Sequence, residues 1–152
     1  MASNVVSAGL VLVRGSEVLL VHPGGPFWAK KDEGAWSIPK GELDLGEEPL
    51  AAAIREASEE LGLPAPPGPF ESLGEVRMKS GKRVVAWAAR HDLDATQVKS
   101  NECEIEWPPR SGKKIRVPEI DRAKWCSLDE ARRLANPALL PLLERALAAA
   151  PR

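Results

Sequence analysis

Residues 41–63 read GELDLGEEPLAAAIREASEELGL, and this stretch contains the best-defined helix of the sequence. Pro49 suits the first helical position, where its missing N–H leaves no hydrogen bond unmade, and Gly62 with Pro64 behind it ends the helix. At about 100° per residue, one arc of this helix is apolar, which predicts a buried stripe. The stripe consists of Leu50, Ala53, Ile54, Ala57 and Leu61.

The same stretch carries seven acidic residues in 23 positions, although the formal net charge of the whole chain is only -1. Glu56, Glu59 and Glu60 share an arc beside the apolar stripe, where carboxylates repel one another by about 0.2–0.5 kcal/mol per pair. Arg55 can reach Glu59 one turn further on and Glu47 in the preceding acidic turn. One arginine does not neutralise four carboxylates, whereas a divalent cation with oxygen ligands would. The alternative is a solvated acidic face with a weak salt bridge.

The rest of the chain predicts a mixed sheet covered by helices. No internal repeat or long linker divides it, so we expect one domain over residues 1–152. Residues 23–34 are predicted to form an exposed loop, and residues 92–117 are irregular in pattern. The apolar, β-branched runs predict strands at 5–13, 17–22, 35–39, 72–78, 83–90 and 123–127. Further helices are predicted at 130–135, after the capping box Ser127-x-x-Glu130, and at 141–149.

Composition excludes several classes of protein. The 21 basic and 22 acidic residues give no broad electrostatic footprint for duplex DNA or an anionic membrane, although they leave room for a local basic groove. No window approaches about 18 consecutive apolar residues, and the first apolar run has no basic segment before it, so we expect a cytoplasmic location. Cys103 and Cys126 lack CxxC spacing and are predicted to be unpaired thiols.

The order of residues in 41–63 resembles the signature of the Nudix hydrolases, G-x5-E-x7-R-E-U-x-E-E-x-G-U, in which U is aliphatic or small. Gly41, Glu47 and the segment 55–63 supply all nine defined positions at the required spacing. The surroundings also resemble the family, with two strands before the motif, a further strand and a Pro-Lys pair just ahead of it, and a strand with Trp125 and a helix after it. The resemblance implies an α/β (α+β) fold, namely an α/β/α sandwich with a central mixed sheet. It also implies hydrolysis of a diphosphate linkage in a nucleotide or nucleoside diphosphate derivative by attack of water at phosphorus.

The resemblance implies a divalent metal, Mg²⁺ or Mn²⁺, and assigns roles to the acidic residues. Glu56 and Glu59 are expected to be catalytic together with Glu47 and Arg55, which would orient the loop and the ligands. Which carboxylate acts as the general base stays open, because the base of such enzymes lies either in the signature helix or on a distant loop. The expected metal ligands are Glu56, Glu59, Glu60 and Glu119, and Glu102, Glu104 and Glu106 are weaker candidates for the distant loop.

Phosphate contacts are expected from Lys40, directly before the motif, and from Arg77 and Lys82 on the hairpin that follows it. Trp28, in the loop 23–33, is predicted to stack on a base, because an aromatic face is a sequence-tolerant platform. Trp36 is predicted to belong to the core or to a wall. His22 and His91 have no partner at ligand spacing and are expected to be structural, and Lys79 and Arg83 are further basic residues of the same hairpin.

Three functions remain open at this stage. The first is a hydrolase acting on a small-molecule nucleotide or other diphosphate, as a monomer or homodimer with no membrane or nucleic-acid partner. The second is a catalytically silent nucleotide-binding or regulatory module. The third is an RNA 5′-end pyrophosphohydrolase. The balanced charge of the chain, with no extended basic tract to bind the RNA backbone, counts against this third function. Substrate specificity is expected to lie in residues 23–33 and 92–117.

Overall fold

The computed structural model describes residues 5–150, so residues 1–4 and 151–152 of the predicted domain lie outside the described residues. The helices are α1 (Pro49–Leu61), α2 (Leu128–Leu134) and α3 (Leu140–Ala149). The strands are β1 (Val6–Arg14), β2 (Glu17–Pro23), β3 (Lys40–Glu42), β4 (Glu71–Arg77), β5 (Arg83–Arg90), β6 (Glu102–Glu106), β7 (Lys114–Pro118) and β8 (Ile120–Ser127).

The central sheet is mixed and has β1 in its middle. Its strands follow the order β4-β5-β1-β2-β8, and β1 runs parallel to β5 and antiparallel to β2. Strand β2 pairs with the end of β1, at residues 13–14. The short strand β3 pairs antiparallel with residues 7–9 of β1, further along the same edge. This arrangement brings Lys40 and Gly41 to the middle of the sheet, directly before α1.

Alternation along β1 divides its side chains between two apolar layers. Leu10 and Leu12 pack in the layer under α1, whereas Val11 and Val13 pack in the layer under α2 and α3. Helices therefore cover both faces of the sheet. The predicted α/β/α sandwich with a central mixed sheet is confirmed.

Helix α1 begins at Pro49 and ends before Gly62, as its start and stop signals predict. Gly62 adopts φ 65°, and its N–H donates to the carbonyl of Ser58 at 2.9 Å. The buried stripe differs from the predicted one at its margin: Ala52 is fully buried, whereas Leu50 and Ile54 are only partly buried. Small alanine side chains lie under the centre of the helix, and the larger side chains cover its sides.

The predicted strand at 35–39 is wrong, because Trp36 and Ser37 form isolated bridges to two different partners, Ala135 and Val21. Pro39 then has no N–H to donate, so a ladder begins only at Lys40. The segment predicted to be irregular, 92–117, contains the hairpin of β6 and β7, and β8 begins at Ile120 rather than at 123. Among residues 5–150, no helix is long and apolar enough to cross a membrane.

Candidate active site

The candidate site lies where β3 meets α1. The backbone N–H of Lys40 donates to Oε2 of Glu60 at 3.1 Å, which ties the strand to the helix. Gly41 faces the carboxylate of Glu56 so closely that a Cβ at position 41 would lie less than 3.0 Å from three of its atoms. The glycine of the motif therefore leaves the space that the Glu56 carboxylate occupies.

Arg55 connects the acidic residues of the motif. Its Nε and Nη2 each donate to one carboxylate oxygen of Glu47 at 2.8 Å, and its Nη1 donates to Glu56 at 2.9 Å and Glu59 at 3.3 Å. The hydrogen bonds from Arg55, and one from the backbone of Asp44, lower the pKa of Glu47 to about 2. Such forked bonds fix direction as well as distance. The geometry agrees with an orienting role for Glu47 and Arg55.

Two carboxyl groups of the helix are shifted towards their neutral forms. Burial raises the pKa of Glu60 to about 8, and the nearby charges of Glu56 and Glu119 also raise it. The hydrogen bond from the backbone N–H of Lys40 and the charge of its ammonium lower the pKa and so oppose this shift. Burial also raises the pKa of Glu56, although the hydrogen bond from Arg55 opposes it. Burial and mutual repulsion therefore disfavour charge on these groups until a counter-charge is supplied.

Glu119 lies between β7 and β8, outside the motif. Its N–H donates to the carbonyl of Asn101 at 2.9 Å, and its own carbonyl accepts from the N–H of Gly24 at 3.0 Å. Its exposed carboxylate contributes to the raised pKa values of Glu56 and Glu60, so the fold brings the three groups near one another. A residue 59 positions beyond Glu60 in the sequence thereby joins the acidic cluster.

The three glutamates of β6 lie elsewhere. Glu102 and Glu104 form ion pairs with Arg116 and Lys114 at 3.5 and 3.6 Å, and Glu106 accepts a hydrogen bond from the backbone N–H of Arg110. These contacts lie on the face of the hairpin opposite Cys103 and Ile105. The structure therefore separates these weaker candidates from the acidic cluster.

The acidic cluster fits a hard divalent cation by its chemistry. Among residues 5–150, no group of three or more His, Cys, Asp or Glu side chains already surrounds one point as metal ligands would. Arg55 engages Glu56 and Glu59 in this arrangement. The donors are nevertheless all carboxylate oxygens, which Mg²⁺ and Mn²⁺ favour, and the space beside Gly41 accommodates one of them. Glu56, Glu59, Glu60 and Glu119 would hold the ion.

Two of the three predicted phosphate-binding side chains lie beside this cluster. Burial and the neighbouring Lys82 lower the pKa of Lys40, while the charges of Glu60, Glu42 and Glu56 oppose that shift. The ammonium of Lys82 lies 3.2 Å from a carboxylate oxygen of Glu42. Arg77 instead donates to the carbonyl of Gly81 in the β4–β5 turn and is not brought to the cluster. Lys79 is exposed, and Arg83 pairs with Glu75.

Trp28 is half-buried in the loop after β2, in edge-to-face contact with Phe27 at 5.0 Å between ring centroids. Trp36 is buried, as predicted, and its indole N–H donates to Asp32 at 2.7 Å. Cys103 and Cys126 are unpaired, as predicted. Phe27 and the apolar residues of β6 and β7 are not among the predicted site residues, although the alternation in Glu-Cys-Glu-Ile-Glu indicates the apolar face of β6.

His22 has a structural environment. It is fully buried, with Nδ1 at 2.8 Å from a carboxylate oxygen of Asp121 and Nε2 at 2.6 Å from the carbonyl of Lys31. His91 donates its backbone N–H to the carbonyl of Val13. His22 therefore connects β2, β8 and the end of the loop that carries Trp28.

Residues 3–146 match the model of the NUDIX domain family, so the chain belongs to that family, as its motif predicts. The asymmetrical bis(5′-nucleosyl)-tetraphosphatase of Rattus norvegicus is 34% identical over 107 residues, 66% of this chain and 61% of the relative. An RNA pyrophosphohydrolase of Vibrio atlanticus is 34% identical over 76 residues, 48% of this chain and 44% of the relative. The chain thus spans less than two thirds of the length of these curated relatives.

A solved structure shares this fold. A crystal structure of a C. elegans Ap4A hydrolase binary complex resembles the chain with a TM-score of 0.62 at 23% identity, covering 93% of this chain and 96% of that chain. At this level of identity, the similarity shows the shared fold alone.

Proposed function

We propose that this chain is a metal-dependent hydrolase that cleaves a diphosphate linkage in a nucleotide or nucleoside diphosphate derivative by attack of water at phosphorus. The observation that carries the proposal is the cluster of Glu56, Glu60 and Glu119, in which burial and the neighbouring carboxylates disfavour the charges of Glu56 and Glu60. The complete signature over residues 41–63 adds to it. Named relatives that act on bis(5′-nucleosyl) tetraphosphates and on RNA support the reaction class.

The remaining parts of the site suit this chemistry. A bound Mg²⁺ or Mn²⁺ would neutralise charge on the non-bridging phosphate oxygens and make a water nucleophilic near neutral pH. Lys40 and Lys82 would bind the phosphates that are not attacked, and Arg55 with Glu47 would hold Glu56 and Glu59 in position. A carboxylate that is not fully engaged would accept the proton of the attacking water.

The proposal is tested by a screen of nucleoside triphosphates, dinucleoside polyphosphates, ADP-ribose and other sugar nucleotides with Mg²⁺ and Mn²⁺, with identification of the products. Glu59→Gln removes a charge of the cluster and is expected to lower kcat/KM at least about 100-fold, because metal-mediated charge stabilisation contributes several kcal/mol. Glu48→Gln is the matched control, since Glu48 is an exposed carboxylate directly before the same helix and forms no ion pair within residues 5–150.

Two outcomes would overturn the proposal. Activity that survives in Glu59→Gln would show that the reaction does not use this cluster. An absence of turnover for every diphosphate, with nucleotide binding retained, would favour a silent binding or regulatory module.

RNA is a second candidate substrate, because residues 107–116 carry four cations and no acidic residue at the end of the β6–β7 hairpin. A 5′-triphosphorylated oligonucleotide belongs in the same screen for that reason. A clear preference for it over mononucleotides, lost with rising salt, would favour the RNA function. A cytoplasmic location and a monomeric or homodimeric state stay predictions.

A further inference from the structure

A cavity of about 400 Å³ opens between the loop after β2 and the β6–β7 hairpin. We call it the loop–hairpin pocket. Its size falls in the range of small-molecule sites, which are mostly apolar with a few polar groups. Its walls include Phe27, Trp28, Cys103, Ile105, Val117 and Glu119.

The hairpin presents its apolar face to this pocket. Cys103 pairs with Val117 across the hairpin, and Ile105 pairs with Ile115, so these four side chains share one face. The charged side chains of β6 alternate with them, and Glu102 and Glu104 form ion pairs on the other face. A hairpin that served only to connect β5 with β8 would not require an apolar face beside an acidic cluster.

The loop side of the pocket is held in place by close backbone packing. A Cβ on Gly24 would lie less than 3.0 Å from the carbonyl oxygen of Pro118, and Gly25 has φ +97° with its Cβ position 3.3 Å from Val117. The far end of the loop is fixed by the hydrogen bond between His22 and the carbonyl of Lys31. The pocket is therefore formed before any ligand binds, which lowers the entropic cost of binding.

The aromatic rings at the mouth of the pocket are accessible. Phe27 is 52% exposed, and the ring of Trp28 stands edge-on to it. The ammonium of Lys31 lies 3.7 Å from the centroid of the Phe27 ring, which keeps a cation beside the mouth. Aromatic faces bind planar bases by stacking, largely without regard to base identity.

Glu119 places the pocket next to the acidic cluster. It lines the pocket beside Cys103, whose pKa is raised first by burial and then by the charge of Glu119. The same charge adds to the effect of burial in raising the pKa values of Glu56 and Glu60. A ligand with a planar apolar end and a phosphorylated end would therefore reach both regions at once.

We infer that the loop–hairpin pocket binds the nucleobase of the substrate, with Phe27 and Trp28 as the stacking platform and Ile105 as the facing wall. This inference rests on the proposed function, because it assigns the base end of a molecule whose phosphates meet the acidic cluster. The aliphatic facing wall carries no base-reading polar group of its own, so the pocket selects for a planar base more strongly than for one particular base.

The first test measures binding without turnover. Cys103 lines the pocket, whereas Cys126 is fully buried, so alkylation by N-ethylmaleimide followed by peptide mass spectrometry reports on the pocket with an internal control. In EDTA, saturating AMP, GMP, CMP or UMP is expected to slow the labelling of Cys103 at least about fivefold, whereas ribose 5-phosphate does not. Equal labelling with nucleotides and with ribose 5-phosphate would overturn the inference.

The second test separates binding from catalysis. Trp28→Ala and Phe27→Ala are expected to raise KM for the best nucleotide substrate about tenfold while kcat changes less than about threefold. Phe27 is largely exposed, so its variant keeps the fold even if Trp28→Ala does not. Trp107→Ala is the matched control, because Trp107 belongs to the same hairpin but not to the pocket wall. Unchanged KM in Phe27→Ala would contradict the inference.

The two proposals fail in different ways. If no diphosphate is hydrolysed but nucleotides still protect Cys103, the proposed function fails and the pocket assignment stands as a binding site. If nucleotides are hydrolysed but do not protect Cys103, the hydrolase stands and the pocket assignment fails.

Discussion

The guanidinium of Arg55 forms two hydrogen bonds of 2.8 Å to the two carboxylate oxygens of Glu47, eight residues earlier in the chain. The same guanidinium reaches Glu56 and Glu59 with its remaining nitrogen. One planar group thus sets the positions of three carboxylates around the acidic cluster.

Arg55→Lys is expected to lower kcat/KM by about 10- to 100-fold, because an ammonium cannot reproduce the forked contacts that orient the carboxylates. Steady-state kinetics at several Mg²⁺ concentrations test this, and the loss should include a weaker dependence on metal. Arg132→Lys is the control, since Arg132 forms an exposed pair with Asp129 on α2. Full activity in Arg55→Lys would show that charge alone suffices at this position.

Glu60 is expected to make the metal-free protein less stable as pH rises. Its folded-state pKa of about 8 lies above the ordinary value of 4.5, so the folded protein keeps a proton that the unfolded chain loses. The stabilising contribution is complete below pH 4.5 and is lost as pH rises through 8. Its size is on the order of a few kcal/mol.

Thermal melts in EDTA between pH 4.5 and 9 measure the fall in Tm with rising pH, which is compared between the unsubstituted protein and its variants. Glu60→Gln should reduce the decrease and leave the contribution of Glu56, whose pKa is also raised by burial, and Mg²⁺ should oppose the decrease in the unsubstituted protein by favouring the charged carboxylate. Glu48→Gln should keep the decrease. Parallel pH profiles for Glu60→Gln and the unsubstituted protein would contradict the buried, protonated state of Glu60.

Gly41→Ala is expected to lower metal-dependent kcat/KM by about tenfold or more. The added methyl group would occupy the place of the Glu56 carboxylate, and a displacement of about 1 Å can cost about 100-fold in rate. In a Glu56→Ala background the space is empty, so the same substitution should have little further effect. If the losses of kcat/KM from Gly41→Ala and Glu56→Ala were additive in this double-mutant cycle, Gly41 would act through the backbone instead.

His22→Ala is expected to reduce the free energy of unfolding by about 1–3 kcal/mol, because it leaves Asp121 and the carbonyl of Lys31 without their buried partner. It should also raise KM, since Lys31 ends the loop that carries Trp28. Denaturant unfolding and steady-state kinetics measure the two effects. His91→Ala is the control, because the side chain of His91 forms no hydrogen bond within the described residues.

The sequence predicts the local parts of this fold well. Pro49 and Gly62 give the helix bounds, because start and stop signals act over one turn. The contacts of Arg55 with Glu47 and Glu59 follow from spacing along one helix and its preceding loop, whereas the orienting role of these residues is what the resemblance implies. Glu119 is recognisable only through its resemblance to other members of the family, since nothing near it in sequence connects it with α1.

The parts that the sequence does not predict depend on contacts between distant segments. Trp36 and Ser37 look like a strand, but their neighbours in space are Ala135 and Val21, which local pattern does not reveal. The β6–β7 hairpin has the right alternation, yet its ion pairs make it as polar as a loop. The pocket requires the packing of Gly24 against Pro118, a pairing of residues 94 positions apart.

The β6–β7 hairpin forms a sheet of its own, separate from the central sheet. The chain enters it after Asn101 and leaves it before Glu119, and these two residues are joined by a backbone hydrogen bond of 2.9 Å. A segment whose ends meet on the surface can be lengthened, shortened or exchanged without rethreading the core. The hairpin can therefore evolve independently of α1. Substitutions in residues 102–118 alone would change the range of substrates, while the reaction carried by α1 stays the same.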